Sequence, residues 1–598
     1  MISVRRRAVF CLPILLLFSI ALGCHSQIAP TPAQAGPTLN PEAVAGQLRA
    51  IASAGTLVDL TFPNFPDYSQ QVQALYQSVN YMPVWVRDAQ ATPQALALIT
   101  AFQSSRQKGL NPEEYDASRW PQRLAGLKNL PADANTVAHF DAALTVGAMR
   151  YISDLHIGRV DPKAFKIGID VEQKKYDLPQ FLAQKLLGAN NVPAVLNSVE
   201  PPYFGYQRTE LALQTYLALA DKDHSPPLPD VAKTLAPGDA YAGAEALAQR
   251  LQLLGDLPPG PVPDAQPGIY QGALVDGVKH FQARHGLGSD GRLGKDTLLQ
   301  LNTPLSVRVQ QLDDALERWR WLPSDFSPLP VAVNIPEFVL RVFSPDHRVA
   351  MRMNVVVGKA VRHETPVFAD EMKYIIFRPY WNVPLSITRA EIIPALQKDG
   401  GYLAKKNFEV TDQGGKIVTS GAVSADVLAQ LRSGKLLVRQ RPGPSNSLGL
   451  IKFIFPNDYN VYLHSTPAQS LFSQSRRDFS HGCIRLEKPA ELAAWLLQNQ
   501  PKWTLDAVNA VMQSGPDNQQ VNLTPSVPVV IIYLTAVVEE NGEVYFFNDI
   551  YGHDQRLNAV LAKGPLPLTE GQLLPAANAA YIYVHKVRLR VIADSATA

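Results

Sequence analysis

Cysteine is nearly missing from this chain, with three among 598 residues: Cys11, Cys24 and Cys483. Two lie in the first two dozen residues, so the remainder carries one thiol. It has no partner for an internal disulfide and no Cys-x-x-Cys pair for zinc. An excess of charge of one sign is missing too. The 55 Lys and Arg offset 53 Asp and Glu to a net +2, and Arg5-Arg6-Arg7 is the sole basic run, which leaves no footprint for nucleic acid. Long apolar runs are absent beyond Ala8 to Leu22, a stretch too short to span a bilayer comfortably.

What is present implies several units. A chain of this length is too long for one core and predicts three or four domains, and its 48 prolines predict many loops and linkers. Residues 1–24 read as an export signal, with three arginines, the apolar run and then Gly23-Cys24. Ala21-Leu22-Gly23-Cys24 is similar to a lipoprotein cleavage box, which would make Cys24 a lipidation site and provide a lipid anchor. Cleavage after Ala35 is the alternative. Residues 25–62, rich in Ala, Pro, Gly and Thr, read as a linker.

Residues 63–243 show a helical pattern. Val72, Leu75, Tyr76 and Val79 share a face, Gly109 to Pro112 reads as a stop and restart, and Phe140 to Leu155 predicts a further helix. In residues 244–304, Val275, Val278 and Phe281 share another face. Gly286 can end that helix, Asp290-Gly291 turns, and Asp296 or Thr297 can open the next. A helix from Val307 to Trp321 leads into residues 328–555, where runs such as MRMNVVVGK and MKYIIFRPYWNVP predict strands. Helix-like, polar sequence interrupts them at 388–440. A hairpin around Asn541-Gly542 is expected to close the sheet, and residues 556–598 read as a tail. The fold class is multidomain α+β.

The chemistry concentrates in VYLHSTPAQSLFSQSRRDFSHGCIRL, Val461 to Leu486. Tyr462 and His464 alternate with Val461 and Leu463, which predicts a strand with the histidine at its end. Cys483 is the candidate nucleophile, because a thiol near an imidazole can have its pKa lowered by units and attack an acyl group. His464, held by a strand, is the better candidate base. His481 more plausibly holds the turn. Gly482 permits a tight turn, around which backbone N–H groups could meet an oxyanion, and the Ser465 carbonyl could orient the imidazole. An inert core cysteine or a zinc site are the bland readings, and zinc lacks a fourth ligand.

A histidine, fifteen residues, then Ser-His-Gly-Cys, an apolar residue and Arg resembles the signature of the YkuD-type L,D-transpeptidase catalytic domain. LYQSVNYMPVWV, KGLNPEEY and YISDLHIGRVDP resemble the N-terminal scaffold domain of the large Gram-negative periplasmic members. YQGALVDGVKHFQARHGLGSDGRLGKDTLLQLN resembles a three-helix peptidoglycan-binding domain.

The resemblance implies a β-rich catalytic domain with a capping insertion, a Cys483 thioester, His464 as base, the Ser465 carbonyl as its support and Arg485 shaping the site. The implied reaction is 3-3 cross-linking of peptidoglycan stem peptides without metal or cofactor, and carbapenems are implied to acylate the thiol. Tyr462, Trp381, Arg439 and Arg441 are the candidate substrate contacts, and other cell-wall synthesis proteins are possible partners. Water or a protein amine as acceptor stays open, as does a non-catalytic wall-binding scaffold. The implied location is the periplasm.

Overall fold

A computed structural model describes residues 39–66, 68–128, 133–263 and 266–564. The expected export signal and Cys24 lie outside them. Among the described residues no helix is long and apolar enough to cross a membrane.

The helical unit begins inside the stretch expected to be a linker. Helix α1 (Pro41–Ala54) starts at Asn40, whose side chain accepts the Glu42 N–H at 3.0 Å, and ends at Gly55 in the left-handed region. Its Val44, Leu48 and Ile51 are buried in the unit's core. The linker reading is therefore corrected from residue 41 onward. Pro41 at the first helical position and Gly55 just past the last are punctuation that starts and stops a helix, and the alanines between them are its best formers. Helix α2 (Ser69–Ser78) buries Val72, Leu75 and Tyr76, while Val79 serves as its C-cap. Helix α3 (Ala134–Ile157), capped by Asp133, runs through the middle of the unit and is buried on nearly every side. Helix α4 (Phe204–Ala220) follows.

Three helices, α5 (Ala244–Leu253), α6 (Ala273–Arg284) and α7 (Lys295–Leu301), enclose a separate small core with Val275, Val278 and Phe281 at its centre. Then comes α8 (Leu305–Trp321), which touches every unit. Its Leu312 and Leu316 pack with Tyr206 and Leu213 of α4, Asp313 pairs with Arg106 at 2.8 Å, and Arg318 pairs with Asp554 at 2.5 Å. Arg308 donates to the Gln300 carbonyl at 3.1 Å.

The β-rich unit opens with β1 (Val331–Asn334), β2 (Val339–Phe343), β3 (Val349–Gly358) and β4 (Phe368–Phe377). An insertion contributes β5 (Trp381–Asn382), β6 (Phe408–Thr411), β7 (Ile417–Thr419) and β8 (Leu437–Gln440), in the order β5-β8-β6-β7. The chain returns as β9 (Ile451–Ile454), β10 (Leu463–His464), β11 (Asp478–Ser480), β12 (Ile484–Leu486) and β13 (Gln519–Ile532). The main sheet has the order β11-β3-β12-β10-β9-β4-β13-β1-β2, and β2 also pairs with β3, so the sheet curls round on itself. One contiguous core lies between it and helices such as α9 (Pro489–Leu496).

Three boundaries differ from expectation. The insertion starts at Trp381 rather than 388, because Arg378 has φ +45° and breaks the apolar run that reads as one strand. The hairpin at Asn541-Gly542, β14 (Ala536–Val538) and β15 (Val544–Phe546), forms its own two-stranded sheet and packs on α4 and α8. The strand ahead of it, β13, is the one inside the main sheet. Residues 556–561 belong to α10 (His553–Leu561), whose Leu557 enters the main core, so the structured chain runs past the expected tail boundary.

Candidate active site

Pairing across three strands builds one row of side chains. His464 on β10 stands opposite Lys452 on β9 and opposite Arg485 on β12. Cross-strand partners share a face and residues two apart on a strand share it too, so Tyr462 and Cys483 point to the same side. Leu463 and Ile484 point the other way and are fully buried in the core. Around the cysteine the sheet thus packs one face into the core and carries Arg485, His464 and Lys452 on the other, flanked in the same row by the buried Val356 and Ile376.

The turn carrying Cys483 is braced from below. Gly482 has φ +117°, a backbone conformation that favours glycine. Its N–H donates to Ser480 Oγ at 3.1 Å, its carbonyl accepts from Thr365 Oγ1 at 2.7 Å, and Ser480 Oγ donates to the Cys483 carbonyl at 2.5 Å. Lys359 N–H bonds the Ser480 carbonyl at 2.9 Å. Gly482 N–H is therefore occupied. The Cys483 N–H has no hydrogen-bond partner among the described residues and is the donor left open beside the thiol.

Burial sets the titration of both central groups. It pushes the Cys483 thiol up, and contacts from Tyr462 together with the charges of Arg485 and Lys452 only partly oppose this. The expected lowering by imidazole does not occur in this state. His464 is buried, and desolvation and then the Arg485 charge bring its pKa down to about 3. Its Nδ1 meets the Ser465 carbonyl at 2.5 Å, which fixes the ring and leaves Nε2 without a proton in the neutral form. No hydrogen bond joins His464 to Cys483. The thiol instead rests on the Asn460 carbonyl at 3.8 Å.

The other expected residues fall at different distances from this centre. Tyr462 is adjacent to it, with its hydroxyl interacting with the thiol and Lys452 Nζ 5.8 Å from its ring centroid. His481 is exposed and its Nε2 meets Glu391 of the insertion at 2.7 Å, so it ties the insertion to the cysteine turn. Trp381 packs on Phe408 inside the insertion. Arg439 is ion-paired with Glu409 and stacked over Tyr380, and Arg441 has an exposed side chain near the end of β8. None of these three is hydrogen-bonded or ion-paired to the thiol.

Lys452 and Glu391 were not singled out from sequence. A lysine between apolar residues in Ile451-Lys452-Phe453-Ile454 is a visible signal, a charge at an alternating position of a buried strand. For Glu391 there is none, because its partner lies 90 residues away.

Comparison with known proteins agrees with the architecture. Residues 70–213 match a family model described as a scaffold domain, residues 242–301 one described as "Putative peptidoglycan binding domain", and residues 330–531 the YkuD model, an L,D-transpeptidase catalytic domain. A Haemophilus influenzae protein named "Putative L,D-transpeptidase" is 31% identical over 250 residues. That similarity covers 42% of this chain and 49% of the relative, so the chain spans about half the length of the relative it matches.

Proposed function

We propose, of a chain that carries an L,D-transpeptidase catalytic domain beside a scaffold and a peptidoglycan-binding domain, that Cys483 joins peptidoglycan stem peptides through a thioester. The observation that carries the reading is the meeting on one sheet face of Cys483, its open N–H and a His464 held neutral with Nδ1 engaged.

The chemistry follows from those groups. Cys483 Sγ attacks the carbonyl carbon of the third residue of a donor stem, and its proton passes to His464 Nε2. Because burial disfavours thiolate and imidazolium alike, proton transfer accompanies attack. The side chain must first swing off the Asn460 carbonyl. Negative charge building on the carbonyl oxygen is met by the Cys483 N–H. The C–N bond breaks, the proton on His464 goes to the departing D-alanine amine, and the acyl group stays on sulfur. An acceptor amine then attacks the thioester carbon and gives a proton to His464, the C–S bond breaks as the new C–N bond forms, and His464 passes that proton to Sγ, which leaves a 3-3 cross-link and the free thiol. Arg485 and Lys452 keep the face positive throughout. The peptidoglycan-binding unit would hold substrate near this site and raise its effective concentration.

Mass spectrometry of tetrapeptide-rich peptidoglycan fragments, incubated with the wild type and with Cys483→Ala, tests the proposal. Cysteine-dependent dimers with 3-3 linkage are the expected result. Cysteine-dependent loss of D-alanine without dimers would replace the transferase by a hydrolase, and no change in either sample would sink both.

A further inference from the structure

Two cations at the site have no anion. Lys452 and Arg485 flank His464 on the sheet row, and among the described residues neither forms an ion pair or a side-chain hydrogen bond. Arg485 Nε is buried with no partner. Both side chains are half-buried, and burial lowers the pKa of each while the charge of Cys483 opposes this. A desolvated cation is costly unless an anion meets it. Nearby arginines find acceptors inside the protein: Arg476 forks onto Asp478 at 2.6 and 3.0 Å, Arg439 pairs with Glu409, and the buried Arg477, which meets no carboxylate, donates to the Val355, Phe338 and Gln474 carbonyls and to Asn354 Oδ1.

Counting charge on this face shows what is missing. His464 is neutral, so even a Cys483 thiolate would offset only one of the two cations. The second is left for a ligand. In the reaction proposed above, the donor's terminal carboxylate lies one residue beyond the attacked carbonyl, within about one Cα–Cα step of 3.8 Å. It is the anion that must come nearest to Sγ.

We propose that Lys452 and Arg485 form the subsite for the C-terminal carboxylate of the donor peptide, so that the enzyme reads the chain end beside the scissile bond. This rests on the acyl-transfer reading. It also moves carboxylate recognition from Arg439, which Glu409 already neutralises, to the sheet row itself.

The test separates the two proposals by measuring binding without turnover. Isothermal titration of the full-length Cys483→Ala chain compares a tetrapeptide donor with the same donor ending in a carboxamide. The acid is expected to bind about tenfold tighter or more, the range of a charge-assisted hydrogen bond. With Lys452→Met added, that ratio should collapse towards one while the amide's affinity stays put, and Lys452→Arg should retain the preference. Equal affinity for acid and amide in Cys483→Ala, an unchanged ratio in the Lys452→Met chain, or no measurable binding of either donor at millimolar concentration each overturns the subsite. Near-UV circular dichroism confirms that the variants fold. Wild-type turnover of the same donor bears on the transferase reading alone.

Discussion

Two buried, charged regions of this molecule are organised in opposite ways. Where α8 meets the helical unit, charges find countercharges: Arg106 forks onto Asp313 at 2.8 and 2.9 Å, Lys108 reaches Glu200 at 2.7 Å and Glu210 at 2.6 Å, Arg159 pairs with Glu114, and Arg320 faces Glu317 at 3.7 Å. On the row beside Cys483, Lys452 and Arg485 find no countercharge among the described residues. In the first arrangement each of those cations has a carboxylate within 4 Å, although Arg318 Nε, Arg320 Nε and Nη1 and Glu317 Oε2 are left without a hydrogen bond. The second has cations to spare, and in the proposal above a ligand carboxylate completes it.

The sharpest way to break this contrast is to remove the thiol. Cys483→Ala is expected to lower D-alanine release by about 10⁴-fold or more, with melting temperature nearly unchanged, as read by mass spectrometry and calorimetry. His464→Gln should cost about 10²- to 10⁴-fold in rate, the usual range for a general base. A melting temperature that fell as steeply as activity would mean that these residues belong to the architecture after all.

At the joint the expected effect is on stability. Arg159→Met strands the Glu114 carboxylate, whose pKa burial already raises against the opposing Arg159 charge. Losing one partner of such a pair costs about 3–5 kcal/mol. Adding Glu114→Leu should recover most of it, since an apolar pair needs no countercharge. Urea midpoints of the two variants decide the matter, and equal midpoints would show that the pair is incidental. Lys452→Met supplies the opposite sign. Removing this half-buried cation should leave the stability read from the midpoint unchanged or raise it by up to about 1 kcal/mol.

This contrast also separates what was legible in the sequence from what was not. Periodicity is local, so the helical faces at Val72 to Tyr76 and Val275 to Phe281 could be read from spacing, and the family signature brought His464 and Cys483 into one stretch. Helix α1 was missed because its proline and glycine read as linker composition although they sit at its ends. The hairpin at Asn541-Gly542 was recognisable by its turn, but its packing against α4 and α8 depends on residues more than 200 positions away. Electrostatics was least legible. The upward shift of the thiol comes from burial, and Lys452 and Arg485 become neighbours of His464 only when β9, β10 and β12 pair.

The smallest expected effect concerns a buried acid that borrows no countercharge as its nearest partner. Asp154 accepts the Tyr115 hydroxyl at 2.7 Å, and burial, then repulsion from Glu114, raises its pKa from 3.8 to about 7. A carboxyl with a raised pKa contributes stability below its unfolded value, near pH 4, and loses it as pH climbs through the folded value. Asp154 therefore weakens the fold between pH 4 and 7, against the trend set by paired carboxylates such as Glu337, whose pKa is lowered despite burial by Arg341 and Arg352. Asp154→Asn keeps an acceptor for Tyr115 and removes the titration. Its urea midpoint should match the wild type at pH 4 and exceed it at pH 7.5, and a variant less stable at both values would show that the ionised carboxylate is wanted at the joint.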